Sequence, residues 1–370
     1  MAQKDQKFEG WVGDSPASAD GNLRWAEFEP KPWEETDIDI KVTHCGICAS
    51  DLSMMRSHWG PIVYPCIAGH EIAGIAVRVG TSATGDIKVG DRVAVGSQAD
   101  ACLGRFGDCE YCDSGDDQYC TKQVGTFGGY HFNGGVAYGG FALYHRCPSH
   151  FVIKIPEDVS SADAATMMCG GITTYSPLRH HSCGPGKSVG IVGMGGLGHF
   201  GVLWAKALGA EKVTVISRTS GKRDDAIAMG ADGFIATGEE PNWASDHARS
   251  FDILLSTTPS SKSGGCTEQH TQVPIQDYLG LVRNDGILVQ VGVPESLSVT
   301  FNPQVHMIMR RVKMTGSFIG SPAETREMLQ LAAENNIKPW IEELPMKNIN
   351  DALLKMDAGK PKYRYVLVNE

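Results

Sequence analysis

A chain of 370 residues, 42% of them apolar, is long enough to bury two separate cores and sets aside any single small scaffold. Its formal net charge of -10 excludes the concentrated positive charge that nucleic acid or an anionic membrane surface demands, so a small-molecule partner is expected. No run approaches the roughly 18 apolar residues of a membrane span, the opening MAQKDQKFEGWVGDS lacks the apolar core of a signal peptide, and a cytoplasmic protein is expected.

From Phe8 to about Arg92 short alternating runs are broken by turns: FEGWVG, LRWAEFEP, DIDIKVTHC, EIAGIAVRVG and VGDRVAVG. Period-two alternation punctuated by Gly and Pro predicts antiparallel strands and a β-rich, barrel-like first half. Between His44 and Glu71 this region holds Cys45, Cys48, Cys66, His44, His58 and His70, with Asp51 close by. Thiolate and neutral imidazole together suit zinc, which in a catalytic site takes three protein ligands. Any one of these residues taken alone reads better as a buried thiol or a hydrogen-bonded imidazole than as a ligand. Cys48 is expected where the strand DIDIKVTHC gives way to a loop, and His70 with Glu71 at the start of the next strand.

The segment ADACLGRFGDCEYCDSGDDQYC follows, with Cys109, Cys112 and Cys120 in a C-x2-C-x7-C spacing and Cys102 upstream as a fourth candidate. So polar a loop has no core to bury, whereas four thiolates on one zinc hold it closed and supply folding free energy directly. Free or disulfide-linked cysteines are the alternative reading.

After GGFALYHRCPSHFVIKIPEDVS, which predicts two further strands, the stretch AADAATMMCGGITTYSPL turns helical. From Gly186 onward strands alternate with helices: KSVGIVG, the helix MGGLGHFGVLWAKALGA stopped by Gly209, then KVTVIS, FDILLSTT, DGILVQVGV and VKMTGSFIG. This alternation predicts a doubly wound parallel sheet of the α/β class. The tail, with the helix ETREMLQLAAENN and the segments IEELPM, INDALLKM and YRYVLVN, is expected to return to the first domain. The expected division is therefore 1–168 with 320–370, interrupted by a nucleotide-binding domain at 169–319, with the active site in the cleft between them.

Gly193, Gly195, Gly196, Leu197 and Gly198 belong to a G-x-G-x-x-G sequence placed between an apolar strand and a helix. The first glycine permits a tight turn, the second a close approach to a pyrophosphate, and the third close packing of helix on strand. Where an NAD-preferring fold carries Asp or Glu at the end of the second strand, this chain has Ser217, Arg218, Thr219, Ser220, Gly221, Lys222 and Arg223. A carboxylate would repel a 2'-phosphate, while hydroxyls and cations bind it, so NADP(H) is the expected cofactor.

The motifs GICASDL, GHEIAG, the four-cysteine loop, GGFA, CGGITTYSPL, GMGGLGHFGV, TGSFIGS and YRYVLVN resemble those of the zinc-dependent medium-chain alcohol dehydrogenases, cinnamyl alcohol dehydrogenase type, nearly end to end. The resemblance implies a GroES-like catalytic domain joined to a Rossmann domain, two zinc ions per chain and a homodimer. It implies Cys48, His70 and Cys169 as ligands of the catalytic zinc, with Glu71 able to enter the coordination sphere, and Cys102, Cys109, Cys112 and Cys120 as ligands of the structural zinc, although the family usually spaces the first two more closely. Cys45, Cys66, Cys147, Cys183 and Cys266 match no ligand position. Ser50 matches a hydroxyl that passes the alcohol proton, and Asp51 a carboxylate that orients His70. Many relatives continue the relay with a histidine where this chain has Ser53; either His58 takes over, or the proton leaves through the ribose hydroxyl and water. Trp59, Phe318 and Ile319 are the implied pocket residues, and Thr173, Val293, Ser317 and Ile319 are implied against the cofactor. The implied activity is aldehyde reduction by NADPH on aromatic or medium-chain aliphatic aldehydes and its reverse. Reduction of a conjugated alkene or iminium, and a non-catalytic zinc or NADPH-binding protein, are the rival readings.

Overall fold

A computed structural model describes residues 6–258, 274–293 and 301–369; Cys266 lies outside the described residues. The chain divides into two compact units, Met1–Ile172 with Gly320–Glu370, and Thr173–Ile319. Cys169 thus belongs to the first unit.

The first unit is built around strand Asp37–Ile47, whose apolar residues Ile38, Ile40, Val42 and Ile47 are fully buried. Along one edge it pairs antiparallel with Glu71–Val79. Along the other it meets two partners in succession, Tyr144–Pro148 over its first half and Arg364–Val368 over its last residues. The C-terminal tail therefore supplies a strand to the sheet that opens the chain. Ile341–Pro345, Arg92–Val95 and Ile153–Lys154 complete seven strands, and their pairing runs as an open path rather than a closed barrel among the described residues. Two buried carboxylates mark the start of the central strand. Asp37 pairs with Lys31 at 2.5 Å and Asp39 takes the fork of Arg146 at 2.7 and 3.1 Å, which offsets the cost of burying either charge.

In the second unit six strands are all parallel, in the order Gly233–Ala236, Lys212–Ser217, Ser188–Val192, Phe251–Ser256, Val282–Gln290, Lys313–Gly316. The strand order reverses at Ser188–Val192, which is where a doubly wound sheet opens a crevice for a ligand. Five of the six strands were expected from apolar runs. The sixth, Gly233–Ala236, is only four residues long and carries no alternation to read.

His145 and His131 are both buried in the first unit. His145 donates from Nδ1 to the Tyr138 carbonyl at 2.9 Å, and its Nε2 has no partner among the described residues. Burial holds it down to about 4, and burial with the neighbouring Lys31 charge holds His131 down to about 3. Between these values and 6.5 the unfolded chain binds protons that the native chain refuses, so stability falls as pH falls through this window. On going from pH 7 to pH 5, wild type is expected to lose roughly 2 kcal/mol more than His145→Asn, measured by denaturant midpoint. An identical pH dependence in the two proteins contradicts a neutral His145.

Candidate active site

Strand Asp37–Ile47 delivers Cys48, which caps helix Ala49–Met55. The loop expected after Cys48 is thus a helical turn, because Asp51 at its third position accepts the Cys48 backbone N–H at 2.9 Å and closes the first turn. The same carboxylate reaches across to a second segment. It accepts the Gly69 N–H at 3.1 Å and the His70 Nδ1–H at 2.8 Å, and it is wholly buried. With Nδ1 committed as donor, His70 keeps its lone pair on Nε2, a buried atom with no hydrogen-bond partner among the described residues. The ring is also stacked on Phe127.

One donor atom each from Cys48, His70, Glu71 and Cys169 lie within 4.8 Å of one another, and all four residues are buried. Cys169 arrives from the five-residue π turn Met167–Gly171, a local widening of the helical path that recurs at functional sites. Gly46, paired with Glu71 across the strands, leaves room for the glutamate: a Cβ there would lie 2.0 Å from Glu71 Oε2. The remaining Glu71 oxygen pairs with Arg364, which is itself buried and has Nη1 4.0 Å from Cys48 Sγ. A hydrogen bond from Cys169 pulls the Cys48 thiol well below its ordinary value, and Arg364 and His70 assist against burial. Burial pushes Glu71 up to about 7, opposed by Arg364. Two thiol sulfurs, an imidazole lone pair and a carboxylate held back by an arginine are donors that suit a divalent ion such as zinc. The orphaned Nε2 fits that reading.

Ser50 sits one residue into the helix with its Oγ 3.5 Å from Cys48 Sγ. His58 and Trp59 lie past the helix end on an exposed turn, where the His58 backbone N–H bonds Ser53 O at 3.0 Å. Among the described residues no hydrogen bond joins the His58 ring to Ser50 or Ser53. Sequence reading missed Arg364. An arginine inside the apolar run YRYVLV signals a buried counter-charge, but the partner stands 293 positions away.

A second cluster gathers Cys102, Cys109, Cys112 and Cys120 within 4.8 Å. The sulfur separations Cys102–Cys112 of 3.6 Å and Cys109–Cys120 of 4.0 Å straddle the edge of about 3.8 Å that a tetrahedron with zinc–sulfur bonds of about 2.3 Å would have. The wider spacing after Cys102 is absorbed by a loop that folds back on itself. Leu103 and Gly104 take positive φ, and the Arg105 guanidinium forks onto Asp100 and reaches the Ala101 carbonyl. Cys45, Cys66, Cys147 and Cys183 are free and buried, in neither cluster.

In the second unit Gly193 follows strand Ser188–Val192 with φ +89. A Cβ on Gly198 would lie 1.9 Å from the Gly193 carbonyl, so the first and third glycines allow helix Gly198–Ala207 to start against the strand end. A Cβ on Gly195 would meet no atom of the described residues within 4 Å, which leaves space for the approach of a ligand. Gly196 and Leu197 complete the turn. Ser217 ends the neighbouring strand; Arg218, Thr219 and Lys222 are exposed beyond it, and Lys222 Nζ donates to the Met194 carbonyl at 2.6 Å. Elsewhere in this unit Thr173 is buried, Val293 and Phe318 are about half exposed, Ser317 N–H bonds Gln290 O at 3.2 Å, and Ile319 is buried with a positive φ of 40.

The family model described as alcohol dehydrogenase GroES-like domain matches residues 34–157, and that described as zinc-binding dehydrogenase matches residues 196–334. The chain is 38% identical over 366 residues to NADP-dependent alcohol dehydrogenase 6 of Saccharomyces cerevisiae, covering 98% of this chain and 97% of the relative. A cinnamyl alcohol dehydrogenase from Sorghum bicolor superimposes with a TM-score of 0.86 at 33% identity, and a CAD from Helicobacter pylori complexed with NADP(H) with 0.84 at 31%, each covering 98% of both chains. The fold is a GroES-like domain with a Rossmann domain, and the chain belongs to the zinc-binding alcohol dehydrogenases. It is an oxidoreductase acting on CH–OH groups.

Removing the Asp51 charge should loosen the hold on two residues of this cluster, the His70 ring and the Cys48 backbone, and leave Cys169 without a direct effect. Asp51→Asn is expected to weaken zinc retention at this cluster by roughly 10–100-fold in chelator competition, with the four-cysteine cluster unaffected. Equal retention in variant and wild type contradicts the role given to Asp51.

Proposed function

We propose that the protein is an NADPH-dependent aldehyde reductase, and in reverse an alcohol dehydrogenase, for aromatic and medium-chain aliphatic substrates. The convergence of Cys48, His70 and Cys169 beside the Ser50 hydroxyl carries this reading. When bound, zinc supplies a Lewis acid for the carbonyl oxygen and NADPH supplies hydride to its carbon. Cys48, His70 and Cys169 would hold the ion. Asp51 fixes the imidazole in the tautomer that leaves Nε2 free. Glu71, paired with Arg364, would be available as a further donor to the ion. Ser50 gives the proton to the forming alcohol oxygen. Because no hydrogen bond joins His58 to Ser50 among the described residues, we take the proton that replaces the one given up by Ser50 to come from water, past Ser53, without a direct imidazole link; in alcohol oxidation the same path runs outward.

A second zinc is assigned to Cys102, Cys109, Cys112 and Cys120, supported by their sulfur separations. The cofactor reading is supported by Ser217, Arg218, Thr219 and Lys222 at the strand end, a stretch whose own sequence carries no Asp or Glu. The glycine turn takes the pyrophosphate, and Thr173, Val293, Ser317 and Ile319 take the nicotinamide. Trp59 in the first unit and Phe318 in the second each present exposed aromatic surface of the kind an apolar substrate would meet. A homodimer is supported by the outer edge of strand Lys313–Gly316, which pairs with no strand among the described residues and is preceded by Ile308 and Met309, 75% and 71% exposed. A cytoplasmic setting is supported by the free state of every described cysteine. No described helix is long and apolar enough to cross a membrane.

Cinnamaldehyde separates the chemistries, since it carries both a carbonyl and a conjugated alkene. Incubation with NADPH is expected to yield cinnamyl alcohol, with kcat/KM for NADPH well above that for NADH. The saturated aldehyde as product overturns the carbonyl assignment, and equal use of NADH overturns the cofactor assignment.

A further inference from the structure

The cofactor loop is held from a side that the sequence gives no hint of. Strands Lys212–Ser217 and Gly233–Ala236 run parallel with Ser217 opposite Ala236, and their pairing continues past both ends. Thr237 N–H bonds the Ser217 carbonyl at 2.8 Å, and Gly238 N–H bonds the Arg218 carbonyl at 2.8 Å. A Cβ on Gly238 would lie 2.8 Å from that same Arg218 oxygen, so glycine is what lets the two segments approach. The next residue closes the bracket: Glu239 Oε1 accepts the Ser220 N–H at 3.0 Å. Its neighbour Glu240 is engaged elsewhere, on Ala236 N–H at 2.9 Å and towards Arg223 at 3.6 Å. From the opposite side, Lys222 ties the loop to the glycine turn through the Met194 carbonyl.

We propose that Glu239 is a positioning residue that fixes the Ser217–Lys222 loop in its phosphate-binding shape while its own charge holds the affinity for a 2'-phosphate below what that loop could reach. The inference rests on the NADP(H) reading. The Ser220 amide holds the exposed Glu239 carboxyl below its ordinary value, so the group is an anion at neutral pH. An anion bonded to the turn between Arg218 and Lys222 occupies the hydrogen-bonding capacity of Ser220 and repels any phosphate brought to the same cations. Positioning and repulsion are separable by substitution. Glutamine keeps an acceptor for Ser220 N–H and removes the charge, whereas alanine removes both.

The test is titration calorimetry of the zinc-loaded full chain with 2',5'-ADP and with 5'-AMP, at low and high ionic strength. Glu239→Gln is expected to bind 2',5'-ADP several-fold more tightly than wild type at low salt. The gain should shrink at high salt, where exposed charges are screened, and 5'-AMP binding should be unchanged. Glu239→Ala is expected to bind 2',5'-ADP more weakly than Glu239→Gln, because the loop loses its tether. If Glu239→Gln binds no more tightly than wild type, or if the two variants bind alike, the inference is overturned. Wild type that fails to prefer 2',5'-ADP over 5'-AMP would instead overturn the NADP(H) reading, so the two failures are told apart.

Discussion

The side chain of Asp51 accepts three N–H groups drawn from two segments of chain, and the first unit's chemistry depends on that convergence. A fully buried carboxylate costs several kcal/mol to desolvate. Hydrogen bonds to a charged group contribute about 1.5–3 kcal/mol each, so three of them, from Cys48, Gly69 and His70, bring the cost within reach. The consequence is geometric. Cys48 is fixed at a helix start, His70 at a strand start, and the imidazole in one tautomer, before any metal or substrate arrives. Arg364 and Glu71 then form a buried pair beside them, which keeps a second carboxylate close to the cluster and partly neutralised.

The two sulfur clusters differ in what supports them. Cys48, His70 and Cys169 ride on a strand end, a strand start and a π turn whose positions are set by a packed core, so this site is shaped by the fold. The four-cysteine lobe has little core of its own; helix Glu110–Ser114 is five residues long and none of them is buried. There the dependence runs the other way, with the local structure drawn together by its sulfurs and by the Arg105 fork on Asp100. On the two-zinc reading proposed above, losing an ion at the first cluster would cost chemistry, and losing one at the second would cost local structure.

What the sequence revealed tracks how local the signal is. The strand and glycine turn from Ser188 to Gly198 could be read directly, because an apolar run, three spaced glycines and a helix follow one another without interruption. The parallel sheet was legible for the same reason, except at Gly233–Ala236, where four residues are too few to show a period. The helix after Cys48 was hidden because it is seven residues long and begins on a side-chain bond from Asp51 rather than on an apolar pattern. Arg364 was hidden because its meaning lies in Glu71, which only tertiary folding brings near. Glu239 was hidden similarly: the residues after a short unrecognised strand could not be seen to bracket the cofactor loop.

The central claim is that Cys48, His70 and Cys169 are assembled by the fold as the ligands of one zinc, separate from that of the cysteine lobe. Anomalous diffraction from crystals of the purified protein, collected on both sides of the zinc edge, tests it most directly. The account predicts two zinc peaks per chain, one bonded to Cys48, His70 and Cys169 and one to Cys102, Cys109, Cys112 and Cys120. A chain saturated with zinc that shows a peak only in the cysteine lobe, or a first peak bonded to some other set of side chains, would contradict it.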